Sequence, residues 1–149
     1  MKPNHTNRKR KGSAILEFAL GWGILGALLS GGFQYGFTFW MYNTLQAHCY
    51  SAALYGSTLS YDTGNAAAYT TALQNVVVYG DPNGGTSALF PGVGIANVNV
   101  SVNTNSSIPT DVTVSIVNYN VNAIFGSYTF NNKPRVTMAY IGQVACSSC

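Results

Sequence analysis

Residues 12–41 read GSAILEFALGWGILGALLSGGFQYGFTFWM, and a basic block, Arg8-Lys9-Arg10-Lys11, stands directly before them. Between Ser13 and Met41 the only charged side chain is Glu17. A helix rises about 1.5 Å per residue and needs roughly 20 apolar residues to cross the hydrocarbon of a bilayer. The stretch is therefore expected to be a transmembrane helix over 13–41. Gly21, Gly23, Gly26, Gly31, Gly32 and Gly36 would argue against a helix in water. In lipid the backbone must satisfy its own hydrogen bonds, and helix is the one practical solution for a single segment. The glycines then let other helices come close, and Gly32 and Gly36 form a GxxxG pair suited to helix packing. Phe33, Tyr35, Phe37, Phe39, Trp40 and Tyr42 crowd the far end, as in an aromatic belt at the outer interface.

Working outward, the basic flank is expected to stay cytoplasmic and the rest of the chain to emerge on the other side of the inner membrane. The 149 residues carry a formal charge of +3, but five of the seven basic residues precede Gly12. Beyond it lie two basic residues (Lys133, Arg135) and four acidic ones (Glu17, Asp62, Asp81, Asp111), so that part is 2 − 4 = −2. No basic surface is left for a nucleic acid, and the basic block suits topology and anionic lipid headgroups instead. The remainder is poor in charge and rich in Tyr, Asn, Ser, Thr and Gly, which fits a domain outside the cytoplasm or packed among other subunits. The resulting division is a basic leader over 1–12, a transmembrane helix over 13–41 and an extracytoplasmic domain over 42–149.

Residues 42–60 hold one glycine and no proline, and Leu45, Cys49, Ala52 or Ala53, Gly56 and Leu59 or Ser60 recur at helical spacing. One long helix from about 13 to about 60 follows. Asp62, Thr63 and Asn65 are N-cap candidates for a second helix over 65–78, with Ala66, Tyr69, Leu73 and Val76 inward. The DPNGG of 81–85 is a turn. From 95 the period changes to two: Ala96, Val98, Val100 and Val102 form a half-buried strand. Residues 104–111 read as a turn. A second strand from Val112 changes parity at 116–117, which suggests a bulge. A third holds Val136, Met138 and Tyr140, with Gly142 and Val144 continuing it. The expected architecture is α+β, a long N-terminal helix and a second helix covering an antiparallel sheet of about three strands, with room for a short extra strand in 123–131.

No catalytic constellation is present. The domain has three Asp, no Glu and one His, with no phosphate loop and no nucleophile elbow. The chain reads as a non-enzyme without metal or cofactor. Cys146 and Cys149 close the sequence as C-S-S-C, where no helix can follow to activate a redox thiol. A zinc set of His48, Cys49, Cys146 and Cys149 is disfavoured because neighbours on a helix point in different directions. A disulfide is expected, Cys146–Cys149 or Cys49 with either one, and three cysteines leave one over.

Glu17 is the sharpest feature. A carboxylate within lipid is costly and normally has a partner. A cut after Gly12 would give Ser13 a free α-amino group, and a neighbouring subunit could offer that amine to this carboxylate. Such a pair would fix the axial offset between helices.

Basic residues, Gly12, a short hydrophobic run and Glu17 look like the processing site of type IV prepilins. More closely, K-G-S-A-I-L-E-F-A-L resembles the start of the TadE-like proteins, the pseudopilins of tight-adherence pilus systems. AHCYSAALYG at 47–56 lies where that family has an Ala-rich segment, here without its Arg. YGDPNGGTSALFPG at 79–92 and VTVSIVNY at 112–119 also look similar, so the resemblance spans most of 8–144. It implies a membrane-inserted minor pilin, cleaved by a prepilin peptidase and joined to other pilin or pseudopilin subunits. Gly12 would be the last leader residue, Ser13 the mature N-terminus and Glu17 the assembly glutamate. The competing readings are an uncleaved single-pass anchor with an extracytoplasmic binding domain, and a secretory signal peptide, for which the apolar segment is too long and lacks an A-x-A site.

Overall fold

A computed structural model describes residues 7–106, 108–123 and 126–142, with side chains from Gly12 onward except that of Ala123. The first helix, α1, runs Asn7–Thr58. The chain divides into two compact units, Met1–Phe39 and Trp40–Cys149.

In the second unit, α1 presents one buried stripe: Met41, Leu45, Cys49, Ala52, Ala53, Gly56 and Ser57. The spacing is that of an amphipathic helix, as the sequence pattern anticipates. The helix ends by folding its hydroxyls back: Ser57 Oγ donates to Leu54 O (2.8 Å) and Thr58 Oγ1 to Tyr55 O (3.0 Å). Asp62 then caps a 3-10 turn over Thr63–Asn65, its Oδ1 accepting from Gly64 N–H at 2.8 Å. The second helix, α2, covers Ala66–Tyr79 and stops at Gly80, whose φ of 79° lets its N–H bond Val76 O. Tyr69, Leu73 and Val76 face inward as expected, joined by Val77 and Val78, while Ala66 is only half-buried.

The two helices meet at Gly56. Tyr69 OH donates to Gly56 O at 2.6 Å. A Cβ at Gly56 would lie 2.6 Å from Leu73 Cδ2 and 2.9 Å from that hydroxyl, so no larger residue fits without displacement.

The strands are β1 (Val98–Asn105), β2 (Ile108–Ile116), β3 (Tyr119–Ala123), β4 (Gly126–Phe130) and β5 (Arg135–Ala139). A three-stranded antiparallel sheet has the order β1-β2-β5, and β3 pairs with β4 in a separate two-stranded sheet. Val98, Val112, Val114 and Ile116 join the α1 stripe, Tyr69 and Leu73 in one buried cluster. Thr113, buried in the central strand, shares a 2.8 Å hydroxyl contact with Thr137 opposite it on β5.

Three details depart from the sequence reading. The turn expected over 104–111 is shorter, because Thr104 pairs with Pro109 and Asn105 with Ile108. The expected bulge at 116–117 is instead the end of β2. Asn118 takes a positive φ of 52°, Asn97 Nδ2 donates to the carbonyls of Val117 and Asn118, and the chain departs into the β3–β4 hairpin. The register shift in β1–β2 lies between Asn103 and Thr104. The last strand ends at Ala139, before Gly142, and Val144 lies outside the described residues.

β5 is tied to the end of α1 through Tyr140. Its hydroxyl donates to Leu59 O at 2.7 Å and accepts from Tyr61 N–H at 2.8 Å, and Ile141 N–H donates to Ser57 O at 2.9 Å. Gly142 is required beside it, since a Cβ there would sit 2.6 Å from the Tyr140 hydroxyl.

The expected disulfide bond is corrected. Cys49 is a free thiol, fully buried on the α1 stripe, with Leu45, Ala52 and Ala53 in the same cluster. Helical phase directs it into the core, so it joins neither terminal cysteine; Cys146 and Cys149 lie outside the described residues.

Two outcomes follow from this packing. Tyr140→Phe removes the hydroxyl that both accepts from Tyr61 and donates to Leu59. It is expected to lower the unfolding free energy of the detergent-solubilised protein by about 1–3 kcal/mol, with the exposed Tyr50→Phe neutral as control. The second concerns pH. Burial pushes the Cys49 thiol up from 9.0 to about 12. The unfolded chain releases this proton near the lower value and the folded chain holds it to the higher one. The stability is therefore whole below about pH 9 and is lost as pH rises towards about 12. Between about pH 8 and about pH 10.5, denaturant titrations should show the wild type losing about 2 kcal/mol more than Cys49→Ala does.

Candidate functional site

The first unit is the candidate site. Every residue from Gly12 to Leu29 is exposed, including Ile15, Leu16, Phe18, Leu20, Trp22, Leu28 and Leu29. An 18-residue window of this helix reaches a mean hydropathy of 1.6 with none of it buried. A row of large apolar side chains facing outward on all sides of a helix marks a lipid-facing span rather than a soluble core. The aromatic residues stack along it, Phe18 on Trp22 with ring centres 6.1 Å apart and Phe33 on Phe37 at 6.5 Å.

Glu17 lies on this helix, exposed, one turn after Ser13. Ser13 Oγ donates to Glu17 Oε1 at 3.3 Å, the (i, i+4) contact that helical geometry allows. Gly12 and Ser13 are helical, and the helix continues back through the backbone of Arg8, Lys9, Arg10 and Lys11. A Cβ added at Gly12, Gly21, Gly23, Gly26, Gly31, Gly32 or Gly36 would meet nothing within 4 Å. The glycine positions are thus open surface on the isolated chain, and Gly32 and Gly36 leave shallow backbone free for another helix.

The outer end of the expected aromatic belt divides in two. Phe33, Tyr35 and Phe39 are exposed in the first unit. Trp40 and Tyr42 belong to the second, where Trp40 lies 6.0 Å from Phe90 and Tyr42 lies 5.9 Å from Phe130. Tyr119 stacks on Phe130 at 6.1 Å, meets Phe90 edge-on at 6.3 Å and donates its hydroxyl to Pro91 O at 3.0 Å. This cluster answers to no simple sequence period. Its only sequence signal is the density of aromatic residues in 119–130.

In the second unit, an open cavity of about 510 Å³ is lined by Tyr55, Leu59, Asp62, Asn65, Tyr69 and Asn83 among others. Its one carboxylate, Asp62, is already engaged as the cap of the 3-10 turn, and no histidine or cysteine lines it. His48 is half-buried one position before Cys49, and burial holds its pKa below the ordinary value. Among the described residues, no group of three or more His, Cys, Asp or Glu side chains is placed to hold a metal ion.

No curated protein and no solved structure matches this chain. A family model does: that of the TadE-like protein matches residues 12–54, beginning at the glycine before Ser13 and running through the lipid-facing helix into the buried stripe of α1. The similarities read at 79–92 and 112–119 lie beyond that match. The part of the chain similar to the TadE-like family is thus residues 12–54, which carries Glu17 and the apolar membrane-spanning helix.

Proposed function

We propose that the chain is a minor pilin or pseudopilin-like structural subunit of a tight-adherence-type pilus or secretion filament. It is inserted in the inner membrane with Arg8–Lys11 cytoplasmic and the domain outside. A prepilin peptidase cuts it between Gly12 and Ser13, and α1 then joins it to other pilin or pseudopilin subunits. The observation that carries the reading is the family match itself, which starts at Gly12, where the basic leader ends.

The chemistry of the helix supports it. An α-amino group titrates near pH 8, so a new Ser13 terminus would be largely cationic at neutral pH. Glu17 is exposed on the helix, and its one hydrogen bond among the described side chains is the long contact from Ser13 Oγ. A lone carboxylate in hydrocarbon gains most from a cation supplied by a neighbour, and the distance between the two charges sets the stagger of the helices. The open backbone at Gly32 and Gly36 then brings the helices close at the other end of the span. The work assigned to the chain is binding and positioning within an assembly.

The test is the N-terminal residue of the protein extracted from the membranes of cells holding the cognate peptidase. A chain beginning at Ser13 is expected, and Gly12→Trp should leave the leader in place. A wild-type chain still carrying its leader would overturn the reading in favour of a fixed single-pass anchor. Glu17→Ala should be processed normally yet drop out of the filament fraction, whereas Glu17→Asp should retain part of its incorporation.

A further inference from the structure

The register of the three-stranded sheet fixes the direction of every backbone group on β1. Val117 N–H donates to Asn97 O at 2.8 Å, and Val98 stands opposite Ile116. By the alternation of antiparallel ladders, Asn99, Ser101 and Asn103 turn their amides towards β2, and Val98, Val100 and Val102 turn theirs away. The first outward carbonyl is taken: Gln74 Nε2 donates to Val98 O at 2.9 Å. Among the described residues nothing meets the outward N–H and C=O of Val100 and Val102. The opposite edge of the sheet is shorter, and it ends against α1 where Ile141 N–H donates to Ser57 O.

Exposed edges are commonly guarded by lysine, proline or an inward charge, because an unguarded edge templates another strand. β1 reads VNVSVNTN, with neither charge nor proline, and its one irregularity, between Asn103 and Thr104, closes the open stretch at its far end.

We propose that the β1 edge is an interaction surface and that its partner is the β1 edge of a second copy of this chain, running antiparallel across a two-fold axis at Ser101. Self-complementarity selects this occupant. In that register Val100 meets Val102 of the second copy in both directions, through ~four backbone hydrogen bonds. Asn99 faces Asn103 of the second copy, and the two Ser101 side chains face each other. The half-buried valines meet on the core side, the amides and hydroxyls meet on the solvent side, and no like charges are opposed. A two-fold contact also closes on itself, so it yields a discrete dimer rather than an open chain. The contact is small, and anchoring both copies in one membrane raises their effective concentration. The pairing needs no cut after Gly12, so its failure is separate from failure of the pilin reading.

The test is disulfide trapping of the full, uncleaved chain in membranes, in a background of Cys49→Ala, Cys146→Ser and Cys149→Ser. Directly opposite residues of a non-hydrogen-bonded antiparallel pair approach closely. Ser101→Cys should therefore give a cross-linked dimer about tenfold stronger than exposed Ala139→Cys on β5. Val102→Pro, which deletes an outward N–H and no bond to β2, should abolish the cross-link while the circular dichroism of the protein is unchanged. Ser101→Lys, at an exposed position, should likewise convert wild-type dimers in micelles to monomers by native mass measurement. Trapping no stronger than at Ala139→Cys, trapping preserved in a folded Val102→Pro protein, or an undiminished dimer in Ser101→Lys would each overturn the proposal. So would preferential trapping between Ser101→Cys and Ala139→Cys chains, which would mean a β1–β5 contact.

Discussion

The close crossing of α1 and α2 at Gly56 governs the packing of the domain. A helix can lie this near another only where a side chain is missing, and the gap is filled by Leu73 and by the Tyr69 hydroxyl bonded to the glycine's own carbonyl. The rest of the stripe follows the same logic. Cys49, Ala52, Ala53 and Ser57 are small and wholly or almost wholly buried, so the helix contributes little bulk, and the volume of the core comes from Leu45, Leu73 and the valines of the sheet. Close packing of this kind tolerates volume changes poorly. Burial of Tyr69, and then the nearby Tyr140 and Tyr61, raises the pKa of its hydroxyl, so it stays protonated as the donor this crossing needs.

The elements legible in the sequence were those whose signal is local. The helical recurrence of Leu45, Cys49, Ala52 and Gly56 marks the inner face of α1, and of the cap candidates Asp62, Thr63 and Asn65, Asp62 caps the 3-10 turn that leads into α2 while Asn65 stands at the α2 N-cap. The alternation of Val98, Val100 and Val102 marked β1. The sequence pattern misleads where a distant contact decides the local structure. TNSSIPTD has the composition of a turn, yet Ile108 and Pro109 pair with Asn105 and Thr104 because β2 is extended by its partner. Val117, Tyr119 and Val121 alternate as though continuing β2, and the left-handed backbone at Asn118, held by the Asn97 side chain twenty-one residues earlier, separates the hairpin from the sheet. Counting cysteines likewise says nothing about the phase that turns Cys49 into the core.

The membrane-spanning unit is the reverse case. Its features were legible because lipid, not a distant part of the chain, is its environment. Length, hydropathy, the solitary Glu17 and the open glycines can all be read from consecutive residues, and the family match falls on the same stretch. Beyond residue 54 the domain is described by its physics alone: a charge-poor surface of Asn, Ser, Thr and Tyr over a compact core.

The hydroxyl of Tyr140 reaches Leu59 across 81 positions of sequence. Contacts of such separation are slow to form, since the loop between them must be closed before it is rewarded. The central strand also gains its second neighbour only from β5, so the sheet cannot be completed by a nascent chain that stops short of residue 139. Synthesis therefore delivers α1 and α2 well before the segment that locks them, and for most of its emergence the domain is an open clamp. Its closure waits on the strand and the tyrosine that follow residue 134, so the packing of the helices is checked against a segment made long after them.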